Sequence, residues 1–314
     1  MRHKKERKHA MEKTFNITVE MLKVKGACAS GMRDFLKEFP REQYPDGADY
    51  QEVLNRCAEH ERANYAEWLL NEFGATNTTL SVDKINTDGY VFFAGRIEAR
   101  GEIRCKAIMA GREIKAGEGI EAGCGIKAGE GIKAGESIEA GRDIEAGEGI
   151  KAGRGIKAGE GIKAGWGIKA GEGIEAGEGI EAGESIEAGE SIEAGRDIEA
   201  GEGIKAGEGI KAGRGIKAGW GIKAGEGIKA GEGIEAGESI EAGRDIEAGE
   251  GIKAGRGIKA GEGIKAGRGI KAGEDFGVYA GLAVRLSDKS QYAKITAKEK
   301  PANIICGEWV PFDD

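Results

Sequence analysis

Isoleucine returns every six residues from Ile114 to Ile270, 27 times without insertion or deletion, in the unit Ile-x-Ala-Gly-x-Gly. A helix cannot carry this pattern. A six-residue step carries each isoleucine to a new side of a 3.6-residue helix, and two to three glycines per unit cost about 1 kcal/mol each in a helix interior. Short strands fit. In Ile-x-Ala the first and third side chains share one face and the middle one points away, so Ile and Ala turn inward and the residue between turns outward. The outward columns agree: 16 Lys and 11 Glu follow the isoleucines, and 17 Glu, 7 Arg, Trp166, Trp220 and Cys124 follow the first glycine of each unit. Gly-x-Gly then makes the corner.

A three-residue strand cannot bury its own isoleucine, but coils stacked in register bury all of them and pair every strand with the coil above and below at about 4.8 Å. Three units per coil give an 18-residue triangular turn, and two give a flat 12-residue turn. The triangle is the expected form, since three Ile and three Ala fill a prism, whereas two pairs leave a thin sandwich that needs staples. The 27 units then make nine coils, roughly 43 Å of rod at about 4.8 Å per coil. The expected class is therefore mainly β: a single-stranded parallel β-solenoid, triangular, with a small N-terminal α-helical domain and a β-rich C-terminal cap.

The ends depart from the repeat. Residues 13–75 carry apolar positions at helical spacing (Met32, Phe35, Leu36, Phe39; Val53, Leu54, Cys57; Tyr65, Trp68, Leu69, Phe73), interrupted by Pro40, Pro45 and Gly47. Asp49 with Glu52 marks a capped helix start and Gly74 a helix end. Alternation resumes at Leu80, Val82, Val91, Phe93, Ile97 and Ala99, so residues 76–110 are expected to form irregular first coils whose aromatics close the open end. Residues 111–275 form the regular solenoid. Residues 276–314 (Phe276, Val278, Leu282, Tyr292, Ile295, Ile304, Ile305, Trp309) form a different terminal unit that hides the core and blocks fibre growth.

Composition narrows the function classes. Fifty-seven glycines with only four prolines, and no glycine at every third position, exclude collagen, while the placed isoleucines exclude a flexible linker. Charged residues are 32% of the chain yet sum to −8, a mixed-sign exterior rather than a general nucleic-acid surface. No apolar run is long enough for a membrane span, and no signal-peptide core follows the basic start, so the protein is expected in the cytoplasm. The five cysteines (Cys28, Cys57, Cys105, Cys124, Cys306) lack Cys-x-x-Cys spacing and read as free thiols, with no metal site expected. Residues 1–12 (Arg2, His3, Lys4, Lys5, Glu6, Arg7, Lys8, His9) are expected to be a disordered basic tail, with Met11 an alternative start.

The stretch Phe15-Asn16-Ile17-Thr18-Val19-Glu20-Met21-Leu22-Lys23, with Lys25 to Cys28, Phe35 to Phe39 and Trp68 to Gly74, resembles the N-terminal module of uncharacterised phage and prophage proteins that is joined to varied repeat tails. That resemblance implies a mobile-element origin. The remaining two thirds resembles hexapeptide β-solenoids and, over Val91 to Arg104, bactofilin-like polymerising rods. It departs from the acyltransferases of the hexapeptide class, which carry a small residue two positions before the aliphatic one where this chain has Glu, Arg or Trp. An acyltransferase also needs a histidine on the solenoid, and the three histidines are His3, His9 and His60. The glycine-rich segments are not Gly-x-Gly-x-x-Gly and open no helix, so no phosphate loop or cofactor is expected. Ice-binding threonine rows are missing too.

Charge banding is the patterned surface feature. The residue after isoleucine is lysine from Lys151 to Lys169, glutamate from Glu175 to Glu199, lysine from Lys205 to Lys229, glutamate from Glu235 to Glu247 and lysine again from Lys253 to Lys271. Duplication of near-identical units accounts for part of this, as in the Ser-Ile-Glu-Ala-Gly-Arg-Asp copies at Ser137, Ser191 and Ser239. The expected function is a non-enzymatic structural or adaptor rod that presents a protein-interaction surface and self-associates. Its candidate contacts are Trp166, Trp220, Glu175, Glu181, Glu187 and Glu193, and its partners are copies of itself or a host protein, with no small-molecule substrate, membrane or direct nucleic-acid contact. The alternative is a mobile-element inhibitor whose acidic band, eleven carboxylates against Arg196 alone between Glu172 and Glu202, mimics nucleic acid before a host nucleic-acid-binding protein.

Overall fold

The computed structural model describes residues 15–284 and 288–311, so the expectation for residues 1–12 lies outside the described residues. The repeat forms a three-faced parallel β-solenoid in which three Ile-x-Ala-Gly-x-Gly units complete one coil. Each strand pairs in register with the strand three units on: Ile132 with Ile150, Ile138 with Ile156, Ile144 with Ile162. The first and second faces are 13-stranded sheets and the third has 11 strands. The chain visits them in that order, through Ile114–Ala116, Ile120–Ala122 and Ile126–Ala128, then returns to the first. At about 4.8 Å per coil the full stack is on the order of 60 Å long. Isoleucines and alanines line its axis and are buried throughout, while the Lys and Glu between them face solvent. Each such isoleucine contributes roughly 1.5–3 kcal/mol of burial, set against the entropy of ordering its neighbouring glycines.

The two glycines of a corner are held for different reasons. A Cβ at the first one, Gly165 for example, would overlap the carbonyl oxygen of Gly147 in the coil below, because stacked corners approach backbone to backbone. At the second, Gly155 for example, a Cβ would stand 3.5 Å from the carbonyl of Gly173, an ordinary contact. Substitution follows the space: the second position takes Ser137, Asp143, Ser185, Ser191, Asp197, Ser239 and Asp245, whereas the first stays glycine from Gly111 to Gly273. The aspartates add a bond. Their Oδ1 atoms accept from the backbone N–H one coil on, Asp143 from Gly161 at 3.0 Å, Asp197 from Gly215 at 3.0 Å and Asp245 from Gly263 at 2.8 Å.

Four helices make the N-terminal domain: α1 (Val19–Val24), α2 (Ala29–Glu38), α3 (Tyr50–Glu59) and α4 (Ala63–Phe73). Asp49 caps α3, accepting from Gln51 N at 2.9 Å and Glu52 N at 3.2 Å. Gly74 ends α4 with φ near +75°, which glycine adopts without steric cost. The domain is docked on the solenoid. Gln51, almost fully buried on α3, donates to Phe92 O at 2.8 Å and accepts from Ala94 N at 2.9 Å. Its amide thus takes the place of a neighbouring strand at the lower edge of Tyr90–Phe93, where two backbone groups would otherwise be orphaned. Phe93 points into the solenoid, but Phe92 points outward and is buried with Met109 under the helices, so only part of the aromatic cluster plugs the core. Lys127 reaches Glu67 of α4 at 2.6 Å and Lys106 reaches Glu61 at 2.8 Å.

At the other end the third face stops at Ile270–Lys271, while the first continues through Val278–Tyr279 and Ile304–Cys306 and the second through Lys294–Ala297 and Glu308–Pro311. Val278 and Ile295 extend the buried column. Phe276, Leu282, Tyr292 and Ile305 stay exposed on the outside of this terminal unit.

Candidate docking surface

Trp166 and Trp220 occupy the same corner position three coils apart, on the edge running from the third face to the first. Both corners follow strands of the third face, Ile162–Ala164 and Ile216–Ala218 respectively. The tryptophan backbones are built into the ladder: Trp166 N donates to Glu148 O at 3.1 Å and Trp220 N to Glu202 O at 2.9 Å. Their indoles are free, 53% and 56% exposed, which makes them large apolar surfaces on an otherwise charged rod. About 14 Å separates the two levels at about 4.8 Å per coil. Glu184 and Glu202 fill the two corners between them and make no ion pair among the described residues.

The four candidate glutamates do not gather around the tryptophans. Glu187 lies on the first face and Glu181 on the third, beside the tryptophan edge, but Glu175 and Glu193 lie on the second face, opposite it. Three of them are already paired within the rod. Lys157 meets Glu175 at 2.9 Å, Lys163 meets Glu181 at 2.8 Å and Lys169 meets Glu187 at 2.6 Å, so the boundary between basic and acidic bands is closed by one ion pair on each face. The Lys169 hydrogen bond holds the Glu187 carboxyl below its ordinary value, and the Glu175 bond raises the Lys157 ammonium. The next acidic band repeats this, with Lys229 and Glu247 at 3.1 Å and Lys253 and Glu235 at 2.7 Å. Bands of four and five residues on a three-strand coil place opposite charges one above the other, which the linear order conceals.

The corner columns differ as well. The second-to-third edge carries Arg142, Arg196, Arg214 and Arg268, with Arg196 on Glu178 at 2.8 Å and Arg268 on Glu250 at 3.0 Å. The tryptophan edge has no basic residue from Glu130 to Glu238.

A second feature was not signalled by the repeat. The helical domain encloses a groove of about 440 Å³ lined by Phe35, Cys57, Tyr65, Trp68 and Leu69 from α2, α3 and α4, with Cys28 and His60 among its walls. Cys28 caps α2: its Sγ lies 3.2 Å from Ser30 Oγ and accepts from Gly31 N at 3.3 Å, bonds that lower its thiol pKa. His60 Nε2 sits 3.3 Å from Glu38 Oε1. Cys57 is pushed up to about 12 by burial. The apolar helical spacing in this region reads from sequence as core, and only the packing angle of the helices opens a space.

No group of three or more His, Cys, Asp or Glu suited to a metal ion occurs among the described residues, and no described helix is long and apolar enough to cross a membrane. No curated protein and no solved structure matches the chain. Residues 11–73, which contain the four helices, match the YdhT N-terminal domain family.

Proposed function

We propose that the protein is a non-enzymatic structural adaptor of the cytoplasm: a stiff rod that holds its YdhT-like domain at one end and presents the Trp166–Trp220 edge to protein partners. The observation that carries the reading is the pair of exposed indoles in one column, three coils apart, on a surface whose other outward columns are charged. An exposed tryptophan on a rigid frame supplies contact area at little entropic cost, the usual property of an interface anchor. The frame supports the role: Gln51, Lys106 and Lys127 tie the helical domain to the first coils, so domain and edge keep a constant separation. Copies are further proposed to associate side by side, using the carboxylates and lysines that the ion-pair ladders leave over.

The nucleic-acid-mimic reading, with the phage origin that goes with it, draws on fewer carboxylates than the linear band suggests, because Glu175, Glu181 and Glu187 face lysines of the adjoining coil. The test is size exclusion with light scattering at low and high salt, beside cross-linking in host lysate, for the wild type and W166A/W220A. Assemblies that dissolve with salt, and cross-links lost in the variant, support the proposal. One small species at every salt removes self-association, and cross-links unchanged in the variant remove the tryptophan edge as the docking surface.

A further inference from the structure

Each indole of the tryptophan edge stands between two carboxylates one coil away, Trp166 between Glu148 and Glu184 and Trp220 between Glu202 and Glu238. Arg112 takes Glu130 at 3.0 Å and Arg256 takes Glu238 at 3.2 Å, whereas Glu148, Glu184 and Glu202 make no ion pair among the described residues. The edge therefore offers a cation both an exposed ring face and an unneutralised carboxylate, twice over. Neither of the other edges matches it. The second-to-third edge supplies its own arginines, and the first-to-second edge, with Glu172, Glu190 and Glu208, has no aromatic residue. Beside the tryptophan column runs a shallow trough of about 350 Å³, floored by the backbone of Gly203 and Gly221, with Glu202 and Trp220 on the edge side and Lys205 and Lys223 on the face side. Those lysines repel the positive side chains of any occupant toward the edge.

Spacing selects the backbone of that occupant. The indoles are three coils apart, about 14 Å at about 4.8 Å per coil. In an extended segment residues i and i+4 share a face and stand about 13 Å apart at ~3.3 Å per residue. The i+2 side chain falls between them at about 7 Å, midway between the levels of Glu184 and Glu202, which lie about 5 Å and about 10 Å beyond Trp166. A helix returns to the same face after seven and eleven residues, about 10.5 Å and about 16.5 Å, and misses the distance on both sides.

We propose that the third-to-first edge of the solenoid takes an extended segment of a partner protein with cationic side chains at three alternate positions, in the pattern Arg-x-Arg-x-Arg. The outer guanidinium groups stack on Trp166 and Trp220, and the central one bridges Glu184 and Glu202. Arginine suits the site better than lysine, because its planar fork both stacks on an indole and spans two carboxylates. This rests on the reading of that edge as a docking surface and names the chemistry of its partner.

The test is fluorescence anisotropy of two labelled peptides of equal composition, titrated with the full chain at low salt: Gly-Ser-Arg-Ser-Arg-Ser-Arg-Ser-Gly and Gly-Ser-Ser-Arg-Arg-Arg-Ser-Ser-Gly. The spaced peptide is expected to bind the wild type roughly fivefold or more tightly than the clustered one, whose arginines span too little of the edge to meet both indoles. W166A/W220A and E184Q/E202Q should each lose that preference, and E172Q/E190Q on the first-to-second edge should keep it. Raising salt to about 0.5 M should weaken the spaced peptide strongly, since the carboxylates are exposed to screening. Equal affinity of the two peptides for the wild type overturns the proposal, as does binding of neither. A loss in E172Q/E190Q equal to that in E184Q/E202Q also overturns it, by reducing the contact to general attraction between charges. Where the peptides fail but cross-links in lysate are still lost from W166A/W220A, this inference falls and the edge stands as a docking surface for a partner of other chemistry; where those cross-links persist as well, both readings fall.

Discussion

Replacing Gly207 and Gly209 by alanine, one at a time, should change stability in different directions although the residues share a corner. A Cβ at Gly207 overlaps the carbonyl oxygen of Gly189 directly below, whereas a Cβ at Gly209 stands 3.6 Å from that of Gly227. Neither glycine has a positive φ, so backbone conformation does not distinguish them. Relief at Gly207 requires the corner to lift by on the order of an ångström, which stretches Gly207 N to Ala188 O (3.2 Å) and Glu208 N to Glu190 O (3.0 Å) beyond bonding range. Two backbone bonds at about 0.5–1.5 kcal/mol each, plus overpacking strain of about 1–3 kcal/mol, give an expected loss of roughly 2–6 kcal/mol. Gly209→Ala should be neutral or gain up to about 1 kcal/mol from a less flexible unfolded chain. Guanidinium unfolding followed by circular dichroism gives the shift in midpoint. Amide exchange around residues 186–212 locates it, because coils of a repeat rod couple mainly to their neighbours. If the two variants shift the midpoint alike, close approach of stacked corners is not what holds the first glycine column.

Gln51→Leu keeps volume but leaves Phe92 O and Ala94 N without their buried partners. A loss of about 2–4 kcal/mol is expected, read as faster amide exchange at Ala94 and in the first coils before the centre of the rod responds. At pH 8 iodoacetamide should label Cys28 first, since Ser30 and Gly31 lower its thiol, and should reach Cys57 and Cys105, both pushed up to about 12 by burial, only after unfolding; mass-resolved labelling checks the order. Glu187 and Glu235 have folded pKa values depressed by Lys169 and Lys253, so their contribution is present above the ordinary value of 4.5 and is lost as pH falls through the folded value. Solvent screens both pairs, and Lys169→Gln should remove less than about 1 kcal/mol at pH 7 and flatten the acid limb of the stability curve, measured by urea unfolding from pH 7 to about pH 3.

The coil was legible because the evidence for it is local and repeated. Ile114 to Ile270 at a six-residue step, with charge between each Ile and Ala, admits strands and corners only, and the prism of three Ile and three Ala favours three units per turn. Asp49 and Gly74 likewise announce α3 and the end of α4, the first through its capping carboxylate and the second through the missing Cβ that permits φ near +75°. The tryptophan column follows from the same arithmetic, since nine units separate Trp166 from Trp220 and nine is a multiple of three. The surroundings of those tryptophans do not follow. Glu175 and Glu193 share the linear band with Glu181 and Glu187 yet stand on the opposite face, and three of the four pair with lysines one coil earlier, because stacking makes neighbours of residues one coil apart and separates residues one unit apart onto different faces. Nor does sequence place Gln51, a polar residue on an amphipathic helix, against the edge of Tyr90–Phe93: that bond joins positions 41 and 43 residues apart and exists only once helix and sheet have docked. The repeat by itself determined the strands and their inward faces, since each is a property of six consecutive residues, and it favoured three units per coil over two, which the strand pairing then settled. Which charges neutralise one another, what seals the open edge and where the helical domain sits are relations between distant segments, and packing alone decided them.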